Sequence, residues 1–321
     1  MTSYDVFNGD ADGICSLIQL RHVHPIESTL VTGIKRNINL LEDLLVENED
    51  EVTVLDVSLD KNRVGLERIL DKGANVLYLD HHYAGEIPTH PKLTTRIDTS
   101  ADICTGLLMD DYLNGACRGW AVVAAFGDNL SNSAQARAAQ LSLTDDQLQR
   151  LNKLGIYINY NGYGVTLDDL HFHPAALYKA LSPYQSPLDF MADAPQTFEQ
   201  LEVAYEEDMA KATMIQSEYE DDACAVFIFP DEVWARRVNG VYSNQLANDN
   251  PDRAHGVVTL LASGEYRISV RAPLNNKTGA DEICRDFPTG GGRKAAAGIN
   301  ELPVDRLTDF IERLSKQYTR A

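Results

Sequence analysis

The chain has 321 residues, with 48 acidic against 28 basic side chains and a formal net charge of −20. Its length gives a prior of two domains, and 44% hydrophobic with 24% charged residues reads as globular rather than disordered. Such a charge argues against coating a long duplex, because non-specific nucleic-acid affinity comes from neutralised phosphates. No apolar run reaches the roughly 20 residues a membrane span needs, so no membrane partner is expected.

The acid excess lies in residues 1–220, with 34 acids and 15 bases; residues 221–321 hold 14 and 13. The five cysteines (Cys15, Cys104, Cys117, Cys224, Cys284) form no CxxC pair, and no signal peptide is visible at the start. Both features read as a reduced, cytoplasmic protein.

In chain order, Tyr4–Phe7 is a strand candidate running into Asn8-Gly9-Asp10-Ala11-Asp12-Gly13 and a helix over 14–22. Val52–Leu55 is β-branched and ends at Asp56; residues 64–71 are helical; Val76–Leu79 ends at Asp80. The apolar run 122–126, compatible with helix or strand, precedes Gly127-Asp128. Strands alternating with helices imply a parallel sheet. Thr144-Asp145-Asp146-Gln147 reads as a capping box opening a helix to about Leu154. Residues 156–173 read as loop, and Pro183, Pro187 and Pro195 as a domain edge. Apolar residues from Phe198 to Tyr219 recur at helical spacing. Beyond Ala223, residues 226–229, 257–262 and 267–271 look like strands of a second sheet, and 280–285 and 304–318 look helical.

Asp10, Asp56, Asp80 and Asp128 each follow an apolar run, with Asp12 further along the first loop. Strand C-termini of a parallel sheet share one edge, where ligands of open α/β sheets bind. One such aspartate is most often a helix N-cap; four in register, with His81 and His82 directly after Asp80, are hard to explain as caps. Crowded carboxylates repel unless a cation neutralises them or their pKa values rise. Carboxylate and imidazole donors suit Mn²⁺, with Mg²⁺ or Co²⁺ as alternatives. Two ions about 3.5–4 Å apart would clamp a phosphate and activate water.

A second signal is Gly290-Gly291-Gly292-Arg293-Lys294-Ala295-Ala296-Ala297-Gly298. Glycines let a backbone approach a ligand closely, the alanines could open an anion-attracting helix, and Arg293, Lys294 and Arg271 add cations.

The ordered set Asn8 to Gly13, Asp56, Asp80-His81-His82 and Asp128 resembles the DHH phosphoesterase superfamily, and Arg267–Arg271 with the glycine motif resembles its DHHA1 substrate domain. The size is similar to the nanoRNase and phosphoadenosine-phosphatase branch. The resemblance implies an N-terminal parallel-sheet α/β domain (1–190), a helical linker (191–222) and a smaller mixed-sheet α/β domain (223–321), with a cleft between. It also implies roles. Asp10 would bind one ion and Asp12 another, with Asp56 bridging them. His81 and Asp128 would complete the ligand set of the second ion. His82 would contact the scissile phosphate, Asp80 would orient the histidines, and Arg271, Gly290, Gly291, Gly292, Arg293 and Lys294 would hold the far end of a nucleotide. The family usually carries His or Asp where this chain has Asn8, which would be a weaker ligand for the first ion, and His where it has Arg293.

The activity so implied is metal-dependent hydrolysis of short oligonucleotides or small nucleotides. Alternatives are a 3′-phosphatase, a RecJ-type single-strand exonuclease, or a nucleotide-binding regulator with a degenerate site. A homodimer is an option. Elsewhere, His171 and His173, Tyr157, Tyr160 and Tyr163, and Trp120 and Trp234 read mainly as packing or loop residues, and His255 as structural or exposed.

Overall fold

The computed structural model describes residues 1–319. It divides into two compact units, Met1–Glu202 and Val203–Ala321. Among the described residues no helix is long and apolar enough to cross a membrane.

In the first unit β1 (Ser3–Phe7), α1 (Ala11–Val23), β2 (Thr29–Val31), β3 (Glu51–Leu55), α2 (Leu59–Asp71), β4 (Asn75–Asp80) and β5 (Leu93–Ile97) come in that order. Helices α3 (Thr105–Tyr112), α4 (Arg118–Gly127), α5 (Ser131–Ala138), α6 (Asp145–Gly162), α7 (Pro174–Leu181) and α8 (Pro187–Asp193) follow, and α9 (Pro195–Ala212) contains the division between the units. The strands form an all-parallel sheet of order β2-β1-β3-β4-β5. Its central strands β3 and β4 are apolar and buried, as parallel strands covered on both faces must be. The edges are a three-residue strand and the alternating Leu93-Thr94-Thr95-Arg96-Ile97, which offer little for further pairing.

One face packs Val52, Val54, Val76 and Tyr78 on Leu59, Leu66 and Ile69 of α2. Helix α1 is buried on every side from Ala11 to Leu20, so it is an internal helix rather than an amphipathic one. Its start tolerates only glycine at Gly13, where a Cβ would lie 2.2 Å from the Asn8 carbonyl oxygen. Phe7, Leu55 and Leu79 are register partners across β1, β3 and β4. The three strands therefore end level, delivering Asn8, Asp10, Asp56 and Asp80 to one edge.

The second unit adds β6 (Ser217–Glu220), β7 (Cys224–Phe229), α10 (Val233–Asp249), β8 (Ala254–Leu260), β9 (Tyr266–Arg271), α11 (Ala280–Arg285), β10 (Gly290–Gly292), β11 (Ala296–Leu302) and α12 (Leu307–Tyr318). The sheet order is β10-β11-β9-β8-β7-β6, antiparallel except for β7 with β8, which α10 connects as a crossover. Val226, Val258, Ile268, Ile299, Ile283, Phe310 and Leu314 build its core. The chain is thus α/β throughout, with a parallel sheet followed by a smaller mixed-sheet unit.

Three expectations are corrected. Residues 156–162 continue α6 instead of forming loop, because Asn159 and Asn161 are buried with hydrogen-bonded side chains. The helix expected to reach Tyr219 stops at Ala212, and Ser217–Glu220 pairs as an edge strand. The alanines after the glycine triplet form β11, not a helix.

Candidate metal centre

Three strand ends and one helix end supply the site. Asp56 follows β3 directly and sits in the left-handed region, φ 58°, which for an aspartate is uncommon and strained. Asp80 closes β4. Asp10 is the N-cap of α1, its Oδ1 accepting from the N–H of Asp12 (3.0 Å) and Gly13 (3.1 Å). It is thus both a cap and a site residue. Asp128 arrives differently from the other three. The run 122–126 lies inside α4, buried from Trp120 to Gly127, and Asp128 is the C-cap of that helix.

His81 is the hub. Its Nδ1 lies 2.9 Å from the Ile103 carbonyl oxygen, which can only accept, so Nδ1 carries the hydrogen. Nε2 then faces three carboxylates: Asp56 Oδ1 at 3.3 Å, Asp128 Oδ2 at 3.6 Å and Asp12 Oδ2 at 3.7 Å. Four acceptors pointed at one another in a buried space call for a proton or a cation between them. Two overlapping donor sets, Asp56–His81–His82 and Asp12–His81–Asp128, each place one atom per residue within 4.8 Å of the others. A carboxylate-rich set with imidazole and no thiolate fits a divalent ion of the Mn²⁺ type. A carbonyl that fixes the tautomer of the histidine is the usual support for such a ligand.

The electrostatics agree. Burial, and then Asp128 and Asp10, push the Asp12 carboxyl up to about 7. This happens although Asp12 accepts from the N–H groups of Thr105 (2.8 Å) and Gly106 (2.7 Å) at the start of α3. Asp56 is raised well above the carboxylate range by burial and then by Asp12, Asp10 and Asp128. Asp80 goes the other way: burial pushes it up, but His82 and His81 outweigh burial and hold it below its usual range. His82 Nδ1 lies 2.7 Å from Asp80 Oδ1 and its side chain is 31% exposed, so it is the imidazole turned toward solvent. Asp80 Oδ2 and Asn8 Oδ1 are buried and have no hydrogen-bond partner.

One residue of the site escapes a reading of the sequence. Lys35, just past β2, pairs its ammonium with Asp10 Oδ2 and donates to Asn159 Oδ1 at 2.8 Å. It also lies 3.6 Å from Asp128 Oδ1 and 5.4 Å from the centre of the Tyr163 ring. Burial alone would push its pKa down, but Asp10 outweighs that and holds it charged. Asp10 in turn is held below its usual range: burial raises it, and Lys35 more than compensates. The available signal was that Lys35-Arg36 is a basic pair in an acidic half, beside the strand that neighbours β1.

The expected substrate residues lie in the second unit. Arg271 ends β9, with Nε donating to Asn244 Oδ1 at 2.6 Å on α10. β11 lies between β9 and β10, so Arg271 and the glycine triplet share one stretch of sheet. Gly290, Gly291 and Gly292 form β10, and Arg293 and Lys294 lie in the turn to β11. At Gly292, φ 141°, a Cβ would meet the Ala297 Cα at 2.5 Å, so the tight turn requires glycine there. The alanines open no helix, which removes one expected anion-binding feature, and the first N–H of α11, at Ala280, donates to the Lys294 carbonyl (3.0 Å).

The remaining candidates are packing residues. Tyr157 and Tyr160 are buried, and Tyr157 packs on Phe198. The Tyr160 hydroxyl meets His171, and His173 caps α7. The five cysteines are buried thiols.

No protein-family model and no curated protein matches the chain. Among solved structures it is similar to a DHH domain of a member of the s1p family of ribosomal proteins (TM-score 0.62, 11% identity, 98% of this chain and 86% of that one). It is also similar to exonuclease RecJ bound to manganese (0.60, 16%, 100% and 90%). A third is PggH, a pGpG-specific phosphodiesterase from Vibrio cholerae (0.56, 14%, 99% and 99%). The all-parallel sheet followed by a mixed sheet is the fold shared with these structures, a DHH domain among them.

Proposed function

We propose that the chain is a Mn²⁺-dependent phosphoester hydrolase acting on short oligonucleotides or small nucleotides. The observation that carries this reading is His81, locked in one tautomer by the Ile103 carbonyl with Nε2 turned toward Asp12, Asp56 and Asp128. Those four residues would hold the ion. A divalent ion there supplies a Lewis acid for a phosphoryl oxygen and acidifies water. The chain does the rest. Asp80 fixes the His82 ring through Nδ1, which leaves Nε2 of an exposed imidazole to meet a phosphoryl oxygen or hand a proton to the leaving oxygen. The Lys35 ammonium adds positive charge where the phosphoryl group would sit. In the second unit Arg271, Gly290, Gly291, Gly292, Arg293 and Lys294 would bind the part of the nucleotide away from the cleaved bond.

The net charge of −20 supports a short substrate, since a long strand gains affinity mainly from a basic track. The likeness to a pGpG phosphodiesterase and to an exonuclease supports a nucleotide substrate without choosing its length. Five buried thiols suit a reducing cytoplasm. The test is a Mn²⁺ activity screen over mono-, di- and oligonucleotides, with Asp128→Ala as the blank. Turnover highest on the shortest substrates is expected. A rate that keeps growing past about ten nucleotides would favour the exonuclease, and binding without turnover would favour the regulator.

A further inference from the structure

Resting on that divalent-centre reading, we propose that the Lys35 ammonium permanently takes the place of one of the two expected ions. The centre then binds a single divalent cation through Asp12, Asp56, His81 and Asp128.

Three of the roughly four lone-pair positions of the Asp10 carboxylate are already taken. Its Oδ1 caps α1 through the N–H groups of Asp12 and Gly13, and its Oδ2 is paired with Lys35. Asp10 accordingly belongs to neither of the two donor sets, although its neighbours do. Asp128 divides its oxygens: Oδ1 faces Lys35 at 3.6 Å and Oδ2 faces His81 at 3.6 Å. It bridges the ammonium and the His81 donor set as it would bridge two ions. A second divalent ion on Asp10 would lie against a fixed positive charge.

The ammonium is built in, not a flexible side chain that happens to reach the site. Lys35 is pinned on both sides of its backbone, its N–H donating to the Gly162 carbonyl (2.8 Å) and its own carbonyl accepting from Asn8 Nδ2 (3.2 Å). Its head is held by Asn159 Oδ1 as well as by Asp10. Asn8 thereby acquires a role. A carboxylate at position 8 could not donate to the Lys35 carbonyl and would repel it, so the neutral amide acts as a positioning residue for the lysine. An ammonium differs from a metal ion in what it offers. It cannot be chelated away and has no exchangeable coordination position, but its N–H groups can still donate to a phosphoryl oxygen.

The test is Mn²⁺ titration of the full chain by calorimetry with electron paramagnetic resonance, on the wild type, Lys35→Gln and Asp10→Asn. The wild type should bind one Mn²⁺ per chain with the spectrum of an isolated ion. Lys35→Gln should bind two, with exchange coupling between them. Asparagine caps a helix as well as aspartate does, so Asp10→Asn should keep α1 and retain its one ion. Its affinity should fall by no more than about tenfold, the low end for a group outside the ligands. Two coupled ions in the wild type, one ion in folded Lys35→Gln, or loss of the ion in Asp10→Asn would each overturn the assignment to Lys35 while leaving a divalent centre standing. No Mn²⁺ bound by the wild type would remove the centre and this inference with it. If Lys35→Gln fails to fold, the wild-type stoichiometry and Asp10→Asn still decide.

Discussion

The two units each bury a polar cluster, and the clusters differ in how they are satisfied. In the second unit the Asn239 amide donates to Thr259 Oγ1 at 2.7 Å, its oxygen accepts from Ser269, and Ser243 donates to the Asn239 carbonyl, so donors meet acceptors. In the first, His81 Nε2 and three carboxylates confront one another, with the Lys35 ammonium beside Asp10 and Asp128. A closed network specifies a core and asks for nothing further. An unbalanced one keeps its electrostatic cost until a cation arrives.

The sharpest way to break that contrast is to remove a carboxylate. Asp128→Ala should lower kcat by about 10²–10³-fold, on the scale of losing a preorganised electrostatic group, while circular dichroism stays native. A wild-type rate would take Asp128 out of the site.

The second unit is not balanced throughout. His255 on β8 is fully buried, and neither ring nitrogen has a hydrogen-bond partner. Burial, and then Arg253, lower its pKa to about 4 from 6.5. Between those values the unfolded chain binds a proton that the folded chain refuses. Stability is therefore full above about pH 6.5 and falls as the pH drops toward 4, by about 3 kcal/mol in the limit. Urea unfolding of the wild type and His255→Leu across this range should show the slope in the first and its loss in the second.

Adding the ion should sharpen the contrast from the other side. Mn²⁺ at a hundred times its Kd should stabilise the chain by about 2.7 kcal/mol, seen as a higher melting temperature that chelator reverses and Asp128→Ala lacks. An unchanged melting temperature would mean that no cation enters. The smallest effect is expected at Arg271, which lies far from the reacting atoms in sequence and in the other unit. Arg271→Ala should raise KM about tenfold with kcat nearly unchanged, the sign of lost remote binding. A fall in kcat alone would assign it elsewhere.

Much of this was readable in advance, for a physical reason. Asp10, Asp56 and Asp80 follow β-branched, apolar runs, and parallel strands must end on one edge. Asp128 was found, but its element was not, because an alanine-rich run has the same composition in a strand and in a buried helix. Helix α10 was missed because Asn239 and Ser243 are buried among Val238, Tyr242 and Leu246 and blur its apolar stripe. The Asn-Tyr-Asn-Gly end of α6 has turn composition, yet Asn159 and Asn161 are consumed by Lys35 and Phe172. Lys35 was missed because its partners lie 25 and 124 residues away along the chain. The glycine triplet was misassigned because a strand without side chains has no propensity to read.

The backbone at Asp56 carries a consequence for how such a protein could decay. Asparagine enters the left-handed region as readily as aspartate, so exchanging one for the other would take an acidic group out of a crowded buried cluster without disturbing the path of the chain. A lineage released from selection for catalysis would meet an easy slope there, where one substitution yields a sturdier and inert descendant.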